Sequence, residues 1–263
     1  MSIPSSSGGT VRSERRGATT VLTLSYPQRR NALSLPLREA LEDGLQQAMG
    51  DPECRVVVLT GEGSHFCSGG DISSFEGVTP ASGRGRMQRV HRVVRHIVRG
   101  EKPVIAAVEG HAAGAGMCIA ADCDIVVAAS DAKFSCTFNR IGLFPDLGGV
   151  WSIPQRMGLG RAKLLMMTGR VIDGPAAQAQ GLVEEVCAPG QALATALKIA
   201  EEVAQVSPLS NGLLKAALAR APMPLEDLLA VETDAQSALY ASEDFDEGRR
   251  AFLEKRKPVF KGR

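Results

Sequence analysis

The stretch PVIAAVEGHAAGAGMCIAADCDIVVAA, residues 103–129, decides the fold class of this chain. It opens with an apolar strand at 104–108, continues through small residues from Gly110, and closes with a second apolar strand at 124–128. A short apolar run rich in Val and Ile is typical of a buried strand, and small residues after it permit a tight turn. Strands that alternate with helices need crossover connections, so the stretch predicts an α/β core with parallel strands.

The rest of the chain continues this alternation and then becomes helical. Ser34 is predicted to cap a helix whose apolar stripe includes Leu37 and Leu41. From about Gln191 onward, only helical spacing of apolar residues is found. Further strands are predicted at 21–24 and 55–60, and further helices at 88–98 and 243–255.

These patterns divide the chain into three parts. We expect a frayed, Ser/Gly-rich N-terminus over 1–17 and an α/β core over 18–205. We expect residues 206–263 to form a C-terminal helical module that builds an oligomer interface. The alternative for this last part is a layer of helices that only covers the core.

The composition limits the kinds of partner. Lys and Arg total 30 against 29 Asp and Glu, so no summed positive charge is available for nucleic acid or a membrane surface. The six cysteines show no CxxC pair and no Cys/His spacing that suits zinc, so we expect buried thiols and no metal site. No signal-peptide core and no apolar run of about 18 residues is present, which favours a cytoplasmic protein.

A second stretch, VVVLTGEGSHFCSGGDIS at 56–73, repeats the order of strand, small residues and helix start. Free backbone N–H groups at a helix start attract negative charge, so both stretches are candidate anion sites. Neither the glycine pair at 61–63 nor the pair at 114–116 has the third glycine of a dinucleotide site, and no P-loop lysine follows. The alternative is that both are simply tight packing turns.

Four motifs in order along the chain carry a resemblance to a known family. They are QRRNAL at 28–33, the two glycine-rich stretches at 56–73 and 103–129, and AFLEKRKPVF at 251–260. Over 18–263 the chain resembles the enoyl-CoA hydratase/isomerase (crotonase) family. The resemblance implies a crotonase-like spiral of ββα units with a C-terminal helical module. It also implies an acyl-CoA thioester substrate, no cofactor beyond the coenzyme A of that substrate, and a homotrimer or dimer of trimers.

The resemblance also implies which residues bind the substrate. The backbone N–H groups of Gly70 and Ala115 match the paired donors of the family's oxyanion hole. The other implied binding residues are Ser68, Asp71 and Ile72 around the adenine, Gly69, Gly114 and Phe138 elsewhere in the substrate site, Arg30 near the phosphates, and Phe252 with Lys255 from a neighbouring subunit. For Arg30 and Lys255, the alternative to a binding role is an ordinary solvated charge.

Two positions depart from the family's hydratase pattern. Hydratases of the family use two glutamates to activate water, and the matching positions here hold Cys118 and Phe138, which do not suit that task. The remaining acid is Asp146, in IGLFPDLGG at 141–149, a string that resembles the isomerases in which an aspartate shuttles the proton. We therefore expect an enoyl-CoA isomerase with Asp146 as acid and base. The alternative role for Asp146 is to cap the following helix.

Three other functions stay open at this stage. Asp146 alone could support a weak hydratase. His91 lies before Pro103 at a position where the resembling 4-chlorobenzoyl-CoA dehalogenases carry a histidine, and their nucleophilic aspartate falls on Asp146, so hydrolytic dehalogenation is a second option. His91 also fits an ordinary surface helix residue. The third option is a non-catalytic acyl-CoA binder that lost both glutamates.

Overall fold

The computed structural model describes residues 8–263, which alternate between strands and helices as the sequence predicts. The strands are β1 (Thr10–Arg16), β2 (Thr19–Ser25), β3 (Val56–Gly61), β4 (Val104–Val108), β5 (His111–Ala113), β6 (Ile125–Ala129), β7 (Lys133–Ser135), β8 (Val171–Asp173) and β9 (Glu185–Cys187). The α-helices are α1 (Leu35–Gly50), α2 (Pro80–Arg99), α3 (Ala115–Asp122), α4 (Gly149–Met157), α5 (Leu159–Thr168), α6 (Gly174–Ala179), α7 (Ala192–Ala204), α8 (Pro208–Leu218), α9 (Leu225–Tyr240) and α10 (Glu243–Glu254).

The strands form two sheets. The larger has the spatial order β1-β2-β3-β4-β6-β9, and all its neighbours are parallel except β1 and β2. The smaller has the order β5-β7-β8, with β5 parallel and β8 antiparallel to β7. Parallel neighbours joined through helices confirm the predicted α/β class.

The prediction of a frayed N-terminus over 1–17 is wrong for its described part. Strand β1 pairs with β2 along its whole length in antiparallel register. Its side chains are almost all exposed, so no apolar alternation marked it in the sequence. Backbone hydrogen bonds to β2 attach it to the edge of the sheet, and the packing of Val11 on the core and the ion pairs of Arg12 with Glu62 and Arg15 with Asp51 add to them. Residues 1–7 of the predicted segment lie outside the described residues.

The larger sheet is buried on both faces. In β3, Val57 and Leu59 join a large apolar cluster with α1 and α2, whereas Val56 and Val58 pack on the opposite face under α7. Side chains of a strand alternate between faces, so a strand covered on both sides reads as one continuous apolar run. Because β3 and β4 are parallel neighbours, the two glycine-rich turns that follow them leave the same edge of the sheet.

The chain is helical from Ala192 onward, as predicted. Helix α8 is attached to the sheet by Lys215, which is 6% exposed and forms a 2.6 Å ion pair with Asp124. Helix α10 leaves Phe252 83% exposed and Leu253 70% exposed. The role of these helices in an oligomer stays a prediction. Within residues 8–263, no helix combines the length and apolar character needed to cross a membrane.

Candidate active site

The two glycine-rich turns meet at one cavity. It has a volume of about 560 Å³ and its lining is mainly apolar. The predicted site residues that line it are Ser68, Gly69, Gly70, Ile72, Gly114, Ala115, Phe138 and Asp146. Both turns and the segment before α4 therefore contribute to a single space.

The first turn is held by hydrogen bonds to the segment before α1. The N–H of Leu33 donates to the carbonyl of Gly69 at 2.7 Å, and the N–H of Asp71 donates to the carbonyl of Leu33 at 3.3 Å. Gly69 has a φ of +106°, and a Cβ there would lie 2.9 Å from the carbonyl oxygen of Ala113. Only glycine permits this approach, which brings the Gly70 turn against the second turn.

The second turn ends at the first residue of a buried helix. Gly114 adopts a φ of 50° and a ψ of −120°, and its N–H donates to the carbonyl of Ser135 at 2.8 Å. Ala115 then begins α3, and the N–H of a first helical residue has no acceptor inside its own helix. The cavity is therefore bordered by the N-terminal end of α3, where partial positive charge collects.

The N–H groups of Gly70 and Ala115 are unused. Neither donates to a backbone or side-chain acceptor within residues 8–263. Both residues border the cavity, and the nitrogen of Ala115 lies 3.6 Å from the position that a Cβ on Gly69 would take. Two unspent amides at one cavity are what an oxyanion hole requires.

Among the described residues that line the cavity, Asp146 is the one that carries a carboxylate. Its Oδ1 is shielded from solvent and has no hydrogen-bond partner within residues 8–263. Burial raises the pKa of Asp146, and the positive charges of Arg38, Arg86 and, least, His91 oppose this rise. A carboxylate desolvated in this way is a stronger base than one in water.

The alternative role of Asp146 as a helix cap is wrong. The N-cap residue of α4 is Gly148, and no side chain caps this helix. Asp146 contributes only its carbonyl, which accepts from the N–H of Gly149 at 3.1 Å. Leu147 and Gly148 have positive φ values of 48° and 72°, and this turn places Asp146 at the cavity wall.

Two buried arginines also line this cavity, and sequence reasoning missed both. Arg38, on α1, is 7% exposed and donates from Nε to the carbonyl of Leu33 at 2.9 Å. Its Nη1 and Nη2 have no partner within residues 8–263. Arg86, on α2, is 6% exposed, donates to the carbonyl and hydroxyl oxygens of Ser74 at 3.1 and 2.7 Å, and lies 4.5 Å from the centre of the Phe75 ring.

The positions that match the hydratase glutamates carry no acid. Phe138 is 7% exposed and lines the cavity. Cys118 is fully buried, and a Cβ on Gly149 would collide with its Sγ, so α3 packs tightly on the start of α4. A hydrogen bond with Cys136, together with burial, raises the pKa of Cys118, which keeps this thiol neutral.

Five other predicted residues do not line the cavity. His91 is exposed on α2, and Phe252 and Lys255 are exposed at the end of α10. Arg30 is exposed as well, and the carboxylate of Asp71 accepts from the N–H of Ser73 at 3.1 Å. None of these five is among the described residues lining the cavity. Within one chain, the structure therefore brings together the predicted oxyanion donors and the acid, but not all of the predicted coenzyme A residues.

Comparison with known proteins gives concordant results. The enoyl-CoA hydratase/isomerase family profile matches residues 14–263. The 1,2-epoxyphenylacetyl-CoA isomerase of Escherichia coli K12 is 36% identical, over 92% of this chain and 94% of its own length. The short-chain-enoyl-CoA hydratase of Clostridium acetobutylicum is 34% identical, over 93% of this chain and 94% of its own.

A solved structure described as an enoyl-CoA hydratase from Polaromonas sp. JS666 superposes with a TM-score of 0.91 at 37% identity. The match covers 96% of this chain and 100% of that one. The architecture predicted from the sequence motifs is therefore confirmed, and the chain belongs to the enoyl-CoA hydratase/isomerase family with its crotonase fold.

Proposed function

We propose that this protein moves the carbon–carbon double bond of an enoyl-CoA thioester, with Asp146 as the acid and base. The observation that carries this proposal is the unpartnered, desolvated carboxylate of Asp146 in the cavity that also exposes the free N–H groups of Gly70 and Ala115. The family acts on acyl-CoA thioesters, and its members compared above include an isomerase and a hydratase.

The chemistry needs one mobile proton. Asp146 removes a proton from the α carbon of a 3-enoyl thioester, and the electron pair moves onto the thioester oxygen to give a dienolate. The N–H groups of Gly70 and Ala115 stabilise that oxygen, and comparable donors contribute about 3 to 4 kcal/mol each. Asp146 then returns its proton to the γ carbon, which leaves the double bond conjugated with the carbonyl. No other base and no cofactor beyond the substrate's own coenzyme A is required.

Hydration is the second candidate, because a relative is a hydratase and Asp146 can also act on water. Against it, Phe138 and the neutral thiol of Cys118 leave no second acid or base to place that water. Dehalogenation through His91 has less support, since His91 is exposed and does not border the cavity.

The proposal is tested by two spectrophotometric assays on one preparation. Incubation with a 3-enoyl-CoA should increase the near-ultraviolet absorbance of the conjugated thioester. Incubation with the matching 2-enoyl-CoA should decrease it more slowly, because hydration removes the conjugation. Faster hydration than isomerisation would assign the protein as a hydratase. Binding of both thioesters without turnover of either would assign it as a non-catalytic binder.

We also propose that the protein assembles as a homotrimer or a dimer of trimers. The support is the exposed apolar surface of α10, where Phe252 and Lys255 are available to a neighbouring subunit. Sedimentation velocity measures the mass, and a monomer would contradict the proposal. In an assembled protein, Phe252→Ala should weaken coenzyme A binding, whereas Leu159→Ala, at an exposed apolar residue of α5, should not.

A further inference from the structure

We propose that Arg38 is a positioning residue of this active site, whose positive charge keeps Asp146 ionised at rest and then stabilises the negative charge that moves to the thioester oxygen. This inference rests on the proposed function, because it needs Asp146 as the base. It assigns a role to a side chain that no motif of the sequence marks.

The position of Arg38 connects the two halves of the site. Its Nε donates to the carbonyl of Leu33, the same carbonyl that accepts from Asp71 at the end of the first glycine-rich turn. A Cβ on Gly70 would lie 3.3 Å from Nη2 of Arg38. The guanidinium is therefore packed directly against the residue whose N–H is the proposed oxyanion donor. It also lines the cavity that contains Asp146.

Burial of the unpartnered end of the Arg38 guanidinium costs free energy unless an anion is nearby. Nη1 and Nη2 are both shielded from solvent and have no hydrogen-bond partner within residues 8–263. Burial of a guanidinium without a counter-charge is strongly unfavourable. Oδ1 of Asp146 is likewise shielded and unpartnered, and Arg38 is the largest opposing charge acting on the pKa of Asp146. The two groups are thus each other's counter-charge without a direct ion pair.

The reaction moves one negative charge across this arrangement. Before proton transfer the charge is on Asp146, and afterwards it is on the thioester oxygen beside Gly70. Arg38 packs against Gly70, lines the same cavity as Asp146 and acts electrostatically on its carboxyl group, so its charge favours an anion in both states. Arg86 is less suited, because its guanidinium already bonds to Ser74 and stacks on Phe75. The electrostatic influences on Asp146 come from Arg38 on α1 and from Arg86 and His91 on α2, and the thiols of Cys118 and Cys136 also feel its charge.

Two substitutions separate the charge of Arg38 from its structural bond. Arg38→Gln places an amide N–H near the position of Nε, so the bond to the Leu33 carbonyl is retained while the charge is lost. Arg38→Lys retains the charge and loses the Nε donor. Arg95→Gln is the matched control, because Arg95 is exposed on α2 and loses the same charge.

The first measurement is the pH profile of kcat/KM for isomerisation. Arg38→Gln should lower kcat/KM roughly 30-fold at neutral pH and move the acid limb to higher pH, because Asp146 then binds its proton more tightly. Arg38→Lys should keep the acid limb near that of the wild type, and Arg95→Gln should change nothing. An unchanged acid limb in Arg38→Gln would overturn the proposal. Equal losses in the Gln and Lys variants with no movement of the limb would also overturn it, because they would reduce Arg38 to a support for Leu33.

The second measurement needs no turnover. Bound acetoacetyl-CoA forms an enolate that absorbs in the near ultraviolet, and Arg38→Gln should reduce the ratio of enolate to keto form about tenfold. If the wild type isomerises nothing yet shows this difference, the proposed function fails, and with it the part of the inference that concerns Asp146, whereas stabilisation of the thioester oxygen by Arg38 stands. An equal ratio in both proteins contradicts the role of Arg38. Should Arg38→Gln not fold, Arg38→Lys replaces it, since a buried lysine loses its charge at alkaline pH and the enolate ratio should then fall below that of the wild type.

Discussion

Asp146 and Asp122 are two carboxylates near the same turn, the first half-buried and the second buried. Asp122 ends α3 and is 5% exposed, and a Cβ on Gly148 would lie 2.6 Å from its Oδ1. Asp146 precedes that glycine by two positions in the chain. Both carboxyl oxygens of Asp122 and Oδ1 of Asp146 are shielded and unpartnered within residues 8–263, and burial raises the pKa of both groups. Desolvation alone therefore does not distinguish them.

Access and counter-charge make the difference. Asp146 lines the cavity with the free amides, and Arg38 and Arg86 act against the rise of its pKa. Burial raises the pKa of Asp122 to about 8, and Ser152 and Arg156 offset only part of the effect. Arg156 is also engaged elsewhere, in a 2.7 Å ion pair with Glu184. A raised pKa thus marks a candidate base only where a substrate can reach the group and a cation keeps it ionised.

Exchange of each aspartate for asparagine is the strongest test of this comparison. Asp146→Asn should lower kcat for isomerisation roughly 1,000-fold, because general acid and base catalysis is lost while the side-chain shape is retained. Asp122→Asn should stay within about threefold of the wild type, since it only repacks a group outside the cavity. Initial rates with a 3-enoyl-CoA measure both. Similar losses in the two variants would show that burial, not position, decides the function.

Removal of an oxyanion donor sharpens the comparison, because it leaves Asp146 in place. Ala115→Pro deletes one N–H at the first position of α3, where proline fits a helix. We expect kcat to fall roughly 100-fold, as for the loss of one donor in comparable sites. Leu159→Pro is the matched control, since Leu159 also follows a glycine, begins α5 and is 61% exposed. Equal activity of the two variants would remove Ala115 from the mechanism.

The sequence predicted the elements around Asp146 well, because their signals are local. The apolar runs of β3 and β4 and the serine cap of α1 depend on near neighbours. The edge strand β1 was missed because its exposed side chains carry no alternating pattern. Here backbone pairing with β2 outweighed the lack of an apolar face.

The charges around Asp146 were missed for a different reason. Burial of Arg38 and Arg86 depends on which helices meet at the cavity, and residue spacing does not show this directly. One signal was available, since Arg86 has helical spacing with the buried Val90, Val93 and Ile97 of α2. An arginine on an apolar stripe indicates a buried charge that needs a partner.

The pH dependence of the unfolding free energy tests the raised pKa of Asp122 independently of Asp146. Its pKa is about 8 in the folded protein, against an ordinary value of 3.8. Its stabilising contribution is complete below pH 3.8 and is lost as the pH rises through about 8, because the unfolded chain ionises first. The amide side chain that Asp122→Asn introduces does not titrate. The unfolding free energy of this variant minus that of the wild type should therefore increase by up to about 1.4 kcal/mol per pH unit between pH 5 and 8. Urea unfolding at each pH measures this, and parallel curves would show that Asp122 is ionised in the folded state.

The smallest effect concerns His91, the weakest of the three charges that oppose the raised pKa of Asp146. Its side chain is exposed on α2 and does not border the cavity, so His91→Gln should leave kcat/KM for isomerisation within about twofold of the wild type. The same variant and the wild type should both release no chloride from 4-chlorobenzoyl-CoA. Chloride release by the wild type that disappears in His91→Gln would instead make Asp146 a nucleophile with a histidine partner. Asp146 would then differ from Asp122 in forming a covalent bond to the substrate, and not only in access and counter-charge.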